Sequence, residues 1–227
     1  MYRCETASIA GFLQQLAVAY VANGYWFYVT GFVPPHKEPR AVDAKLIDRY
    51  GINCSKFVRC RRKARGLGNV QYLRFRRFFV LLATPGEHEF LRREGGILDI
   101  RRKPIRCFGY SVGCYEGCSG RWHPSVRIER GMLREMKEEI KRAALSEELE
   151  TLRERFRRLP FEPYAPVRRQ VIGLLGMVNT ARGLAGLEPV ALDALRLRRR
   201  PVTPFETLAS VRERNDKKGA GLRHPFR

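Results

Sequence analysis

The residues in this sequence best suited to chemistry are cations. Between Arg49 and Gly86 stand Arg49, Lys56, Arg59, Arg61, Arg62, Lys63, Arg65, Arg74, Arg76 and Arg77, with no Asp or Glu among them. A helix or loop carrying CRRKARG places several cations within reach of phosphates, and Gly66 and Gly68 let backbone N–H groups approach as well. In the adjoining stretch VQYLRFRRFF, Tyr72, Arg74 and Arg76 alternate onto one face of an unbent strand, which would form a platform that stacks unpaired bases and holds charge. A second basic deposit, RLRRRP, contributes Arg198, Arg199 and Arg200, which could follow a nucleic-acid backbone or act as an electrostatic tether. The expected nucleic-acid-binding residues are therefore Lys56, Arg59, Arg61, Arg62, Lys63, Arg65, Tyr72, Arg74, Arg76, Arg77, Arg198, Arg199 and Arg200.

Composition points the same way. The chain of 227 residues has 44 Lys and Arg against 23 Asp and Glu, a formal net charge of +21. That much self-repulsion opposes compaction unless a polyanion is at hand, and RNA and DNA are the polyanions a soluble protein usually meets. Arg outnumbers Lys; Arg grips phosphate and guanine edges bidentately and stacks on bases. The partner expected is nucleic acid, with RNA favoured over duplex DNA because aromatic and Arg residues on a sheet suit unpaired bases and no helix-turn-helix is visible.

Other chemistries lack a partner residue. Cys107, Cys114, Cys118 and His123 are four soft ligands in one Gly-rich segment, but their spacing is irregular and no CxxC pair occurs, so zinc is not assigned. Glu87, His88 and Glu89 follow a Pro-Gly turn and could supply a general base or a Mg²⁺ ligand, but no carboxylate cluster accompanies them. GxxxxGK[ST], GxGxxG and GxSxG are all absent. No catalytic residue, metal or cofactor is assigned, and the expected activity is non-catalytic binding of structured or single-stranded nucleic acid.

The elements that position these residues can be read in order. Ser8 caps a helix with Ile9, Phe12, Leu13, Leu16 and Tyr20 at helical spacing, stopped at Asn23-Gly24. Tyr25 to Val33 reads as a central strand ended by Pro34-Pro35, and AVDAKLIDRYG as a short helix stopping at Gly51. Val70 to Thr84 is too long for one strand and should be a hairpin bending near Arg76-Arg77. Glu87 to Glu94 forms a helical turn; Pro104 to Val112 and Ser125 to Glu129 read as strands joined by the loop Gly113 to Pro124. From Met132 the pattern is helical: one helix through Ala144, one opened by Ser146 and running to Leu159, and, after Pro160, Pro163 and Pro166, one from Val167 to Leu184 with Val171, Ile172, Leu175 and Val178 buried.

This order fits an α+β fold, an antiparallel ferredoxin- or RRM-like sheet between Tyr25 and Ala144 with packed helices and a helical C-terminal part. Three regions are expected: a nucleic-acid-binding core over 1–145, a helical subdomain over 146–195, and a basic, partly flexible tail over 196–227. The apolar stretch Ile9 to Val33 is broken by Gln14, Gln15, Asn23 and Gly24, so it neither spans a membrane nor reads as a signal peptide. A cytoplasmic protein with six reduced Cys is the corresponding expectation.

The phrases GYWFYVTG, FFVLLAT and PFEPYAPVRRQ resemble a family of basic bacterial proteins linked to mobile elements. The strands YWFYVTG and FFVLLATPGEH also resemble those of HUH-type replication initiators and transposases, in which two His one residue apart bind a metal and a downstream Tyr attacks the phosphate. Here His88 is followed by Glu89 and Phe90, with no second His. The first resemblance supplies no activity; the nucleic-acid-binding reading carries the expectation of a subunit of a ribonucleoprotein or mobile-element complex, with other protein subunits as partners. The second implies, as the alternative, a metal-dependent nuclease or transposase.

Overall fold

The computed structural model describes residues 2–200 and 202–205. The described residues form a mixed α+β fold with two antiparallel sheets, as the sequence pattern implies. The described residues divide into two compact units, 2–100 with 202–205, and 101–200. The expected division at residue 145 does not coincide with this one: strands after Ile100 join a separate sheet in the second unit instead of extending the first.

In the first unit, α1 (Ile9–Gln14) opens on the Ser8 side chain, which accepts from the Gly11 N–H, and continues through a wider π-turn (Gln15–Tyr20) to Gly24 at φ 88°. β1 (Phe27–Phe32), α2 (Pro39–Arg49), α3 (Lys56–Ala64), β2 (Val70–Phe75), β3 (Phe78–Ala83), α4 (Glu89–Arg93) and β4 (Leu98–Asp99) follow. The sheet order is β2-β3-β1-β4 with every neighbour pair antiparallel. That is the ferredoxin-like βαββαβ plan, completed within residues 27–99 and not extending to Ala144. The N-terminal residues add to the outer edge of β2, where Arg74 N donates to Cys4 O at 2.8 Å and Thr6 N to Arg74 O at 2.9 Å.

Both faces of this sheet are covered. Val70, Tyr72, Leu81, Ala83, Phe27 and Val29 point to the α2 and α4 side and pack with Leu46, Tyr50 and Phe90. The alternate residues Leu73, Phe78, Val80 and Leu82 are buried on the side of α1, whose Phe12 ring lies 5.8 Å from that of Phe78. Adjacent Tyr72 and Leu73 are each 0% exposed, which a sheet with one open face does not allow.

In the second unit, β5 (Ile105–Cys107), β6 (Tyr110–Glu116) and β7 (Trp122–Ile128) form a meander, followed by α5 (Arg130–Ser146), α6 (Leu149–Arg157) and α7 (Ala165–Leu184). The expected loop Gly113 to Pro124 is thus mostly strand. Cys107–Tyr110 is a two-residue hairpin turn in which Phe108 and Gly109 both take positive φ, 52° and 77°. The buried stripe of α7 is Val167, Val171, Leu174, Leu175 and Val178, while Ile172, expected inside, is 42% exposed. Gln170 of α7 bonds both the N–H and the carbonyl of Ile128, at 2.8 and 3.2 Å, tying the helix to the edge of β7. Buried Arg182 donates to the carbonyls of Ala144 and Glu147, left over at the end of α5, and to that of Glu188 beyond α7.

Candidate nucleic-acid interface

The candidate site is α3. Its sequence KFVRCRRKA starts at Ser55, whose Oγ accepts from Val58 N at 3.3 Å, and ends in Gly66 at φ 73°. The cations near its C-terminus complement the helix dipole. Everything else about their spacing opposes the helix: Arg59 with Arg62 and Lys63, and Arg61 with Arg65, are like charges three or four residues apart. A nine-residue helix of this kind is marginal alone, and none of its residues is buried.

What holds α3 is backbone at its ends. The Arg59 guanidinium bonds the Cys54 carbonyl, and the Asn69 amide donates to Arg59 O at 3.0 Å. Beyond the helix, Gly68 N donates to Glu87 O at 2.9 Å and Glu87 N to Gly66 O at 3.2 Å. Gly86 makes this stitching possible: at φ 115°, a Cβ there would sit 2.4 Å from Gly66 O. α3 is therefore tethered at its ends, with most of its side chains left to solvent.

Lys56, Arg61, Lys63 and Arg65 are exposed, and Arg59 and Arg62 are half-buried. Among the described residues, none of the six pairs with a carboxylate within 4.0 Å. Phe57 stands among them 79% exposed, a residue the reading of charge alone passed over. The lone aromatic inside a cationic run was its sequence signal. Cations around an exposed ring suit a phosphate backbone with a base beside it.

The expected platform of Tyr72, Arg74 and Arg76 does not exist. Tyr72 and Arg74 do share a face, but it is the face under α2. There the Asp43 carboxylate accepts from Arg74 Nε and Nη2, each at 2.8 Å, and from the Tyr72 hydroxyl at 2.6 Å; Glu5 takes Arg74 Nη1 at 3.2 Å. Arg74 is 2% exposed. Burial works against its charge, but Asp43 and Glu5 hold its pKa above the ordinary value. Burial, with Asp43 adding to it, pushes the Cys4 thiol up to about 12. This is a structural ion pair, and it removes Tyr72 and Arg74 from the candidate interface.

Arg76 occupies the β2–β3 turn at φ 55° with its guanidinium 5.4 Å from the Phe75 ring centroid. Arg77 clasps the β1–α2 loop, donating to the carbonyls of Val33, Pro34, Pro35 and Lys37. Both lie at the end of the hairpin away from α3, so the acid-free block is split. Arg198 and Arg200 are exposed, and Arg199 lies 4.6 Å over the Tyr164 ring. The rest of the tail, 201 and 206–227, falls outside the described residues.

Two further candidates resolve into structure. Cys107 is buried at one end of the β6–β7 hairpin, paired with Tyr110, whereas Cys118 is in the turn at the other end. Among the described residues no cluster of His, Cys, Asp and Glu suits a metal. Burial lifts the Cys107 thiol to about 12. His88 caps α4: its Nδ1 accepts from Phe90 N at 3.0 Å. Burial, and after it the nearby Arg62 charge, lower its pKa. No helix among the described residues is long and apolar enough to cross a membrane. Searches with protein-family models, curated proteins and solved structures find no match to this chain.

Proposed function

We propose that this protein binds nucleic acid without acting chemically on it, and that α3 supplies the principal contact. The observation that carries this reading is a tethered helix without acid or buried residue, whose six cations from Lys56 to Arg65 pair with no carboxylate among the described residues. An isolated cluster of this kind is unfavourable without a polyanion, and phosphate oxygens relieve it by charge-assisted hydrogen bonds. At ~1.5 Å per residue α3 is about 13 Å long, enough to lie along a groove or a backbone. With both faces of the first sheet covered, an RRM-type grip by that sheet is not part of the proposal. A cytoplasmic setting, in which the six Cys stay reduced, is.

The experiment is a salt titration of binding to labelled RNA and DNA, comparing the wild type with Arg61→Glu/Arg62→Glu/Lys63→Glu. If all six cations engage phosphates, log K falls against log salt with a slope near −5 on a duplex. The variant should melt like the wild type, lose about three units of that slope and bind at least ~100-fold more weakly near 0.1 M salt. Wild-type binding with unchanged slope in the folded variant would remove α3 from the interface.

A further inference from the structure

One face of the second sheet is buried, and on the other face Ser125 alone is. Ile105, Cys107, Tyr110, Val112, Val126 and Ile128 are all inside, as strand alternation requires. The alternate positions form the other face: Arg106 opposite Ser111, Ser111 opposite Arg127, Gly113 opposite Ser125, and Tyr115 opposite His123. None of these seven is aliphatic, so the face offers little to an apolar protein partner or a lipid. It offers rings and cations instead.

The rings are held in place. Tyr115 and His123 lie side by side, centroids 5.5 Å apart and planes 31° from parallel. Tyr115 is 50% exposed. His123 rests on the backbone of Gly117, where a Cβ would come within 3.0 Å of its ring, so Gly117 is what lets the ring settle there. Gly113 and Ser125 leave a low floor between this pair and the cations. Arg127 is exposed and its Nε donates to Ser125 Oγ at 3.2 Å. The Arg106 side chain is 73% exposed, and its nearest carboxylate, Glu129 at 3.9 Å, is already committed to Gly131 N and Met132 N at the start of α5.

The rings and the Arg106–Arg127 row are four residues apart along the strands, about 13 Å at ~3.3 Å per residue. That span suits a stretch of strand better than a lone phosphate. The surrounding sequence is complementary to one: Arg101 to Ile128 has six Lys and Arg and a single acid, Glu116. Half-exposed rings stack on the faces of unpaired bases, which a duplex keeps covered.

We infer that the outer face of β5-β6-β7 is a second nucleic-acid contact, at which an unpaired base stacks on Tyr115 and His123 while Arg106 and Arg127 hold neighbouring phosphates. The inference rests on the nucleic-acid reading and adds to it a preference for single strands. Anisotropy of the full chain with a labelled oligouridylate and with a labelled blunt RNA duplex of equal length tests it, using Tyr115→Ala, Tyr115→Phe and the α3 triple variant. Tyr115→Ala should bind the oligouridylate about tenfold more weakly or worse and the duplex within about twofold of wild type. Tyr115→Phe should restore single-strand binding, since the ring does the stacking. Single-strand binding unchanged in Tyr115→Ala, but weakened in the α3 variant, would overturn this inference and leave α3 standing. Equal weakening on both probes, or no rescue by Phe, would also overturn it. A wild type that binds neither probe would remove the nucleic-acid reading itself.

Discussion

Replacing Asp43 by Ala asks whether Arg74 belongs to the core or to the surface. In the native protein a guanidinium 2% exposed is neutralised by a carboxylate 6% exposed, through two hydrogen bonds of 2.8 Å, with the Tyr72 hydroxyl as a third donor at 2.6 Å. Without Asp43, Arg74 retains the half-exposed Glu5 and the Arg76 carbonyl. Breaking a buried pair from one side costs about 3–5 kcal/mol. The stranded Tyr72 hydroxyl adds to this, but not independently, so about 4 kcal/mol is expected, against a typical ~5–15 kcal/mol for a whole domain. Two compact units make a single transition an unsafe assumption. The chain has two Trp, Trp26 and Trp122, one in each unit, so a Trp122→Phe background leaves Trp26 to report on the first unit. With an m-value of ~2 kcal/mol/M, the urea midpoint of Trp26 fluorescence should fall by about 2 M. Asp43→Leu with Arg74→Met should recover much of that loss, because an apolar replacement strands no charge. A fall under ~0.5 M in the single variant would refute the buried-pair argument. If Arg74→Ala proved as stable as the wild type but defective in binding, the open-sheet platform would be restored.

Two other perturbations probe how α3 is held. Gly86→Ala puts a Cβ 2.4 Å from Gly66 O at φ 115°, so the stitch between residues 66–68 and 86–88 must open; a loss on the order of 2 kcal/mol is expected in the same urea assay. Nucleic-acid affinity should fall with it, and a fully stable, fully binding variant would show that the stitch does not position α3. His88 gives the pH dependence: its folded pKa lies below the unfolded value of ~6.5, through burial first and the Arg62 charge second. The stability it contributes is therefore present above ~6.5 and is lost as pH falls through the folded pKa, when Nδ1 takes a proton and can no longer accept from Phe90 N. Urea midpoints measured at about pH 7 and about pH 5 should show this loss in the wild type and less of it in His88→Asn, which can still cap α4. Identical profiles would refute the assignment.

Much of the fold was legible because local signals agreed with tertiary structure. The Ser8 cap, the Gly24 stop and the Arg76 bend fall where cap, stop and turn chemistry put them. The β5–β6 hairpin was missed because its turn is Phe108-Gly109, and a Phe at positive φ is not a turn signal. The platform failed for a different reason. Alternation correctly placed Tyr72 and Arg74 on one face, but alternation cannot say what covers a face, and a buried Arg looks like any other until its Asp is found 31 residues away on α2. On β6 and β7, Tyr115 and His123 are adjacent only through strand register, which no local pattern announces.

Those failures bear on how charge should be read. Residues 130–158 hold nine Lys and Arg against seven Glu. The structure spends many of these on one another: Arg155 with Glu139 and Glu147, Arg157 with Glu150 and Glu154, Arg158 with Glu154. Pairs like these add little stability, but they leave those helices with a small residual field. Lys56 to Arg65 has six cations and no local acid, and none of the six meets a carboxylate within 4.0 Å among the described residues. Density of cations does not separate the two segments; absence of acid does. Arg101 to Ile128 meets this criterion less fully: six cations stand against one Glu, but Glu129, one residue beyond, lies 3.9 Å from Arg106. In this protein the net charge of +21 is thus informative only segment by segment, once neighbouring acids are set against the cations.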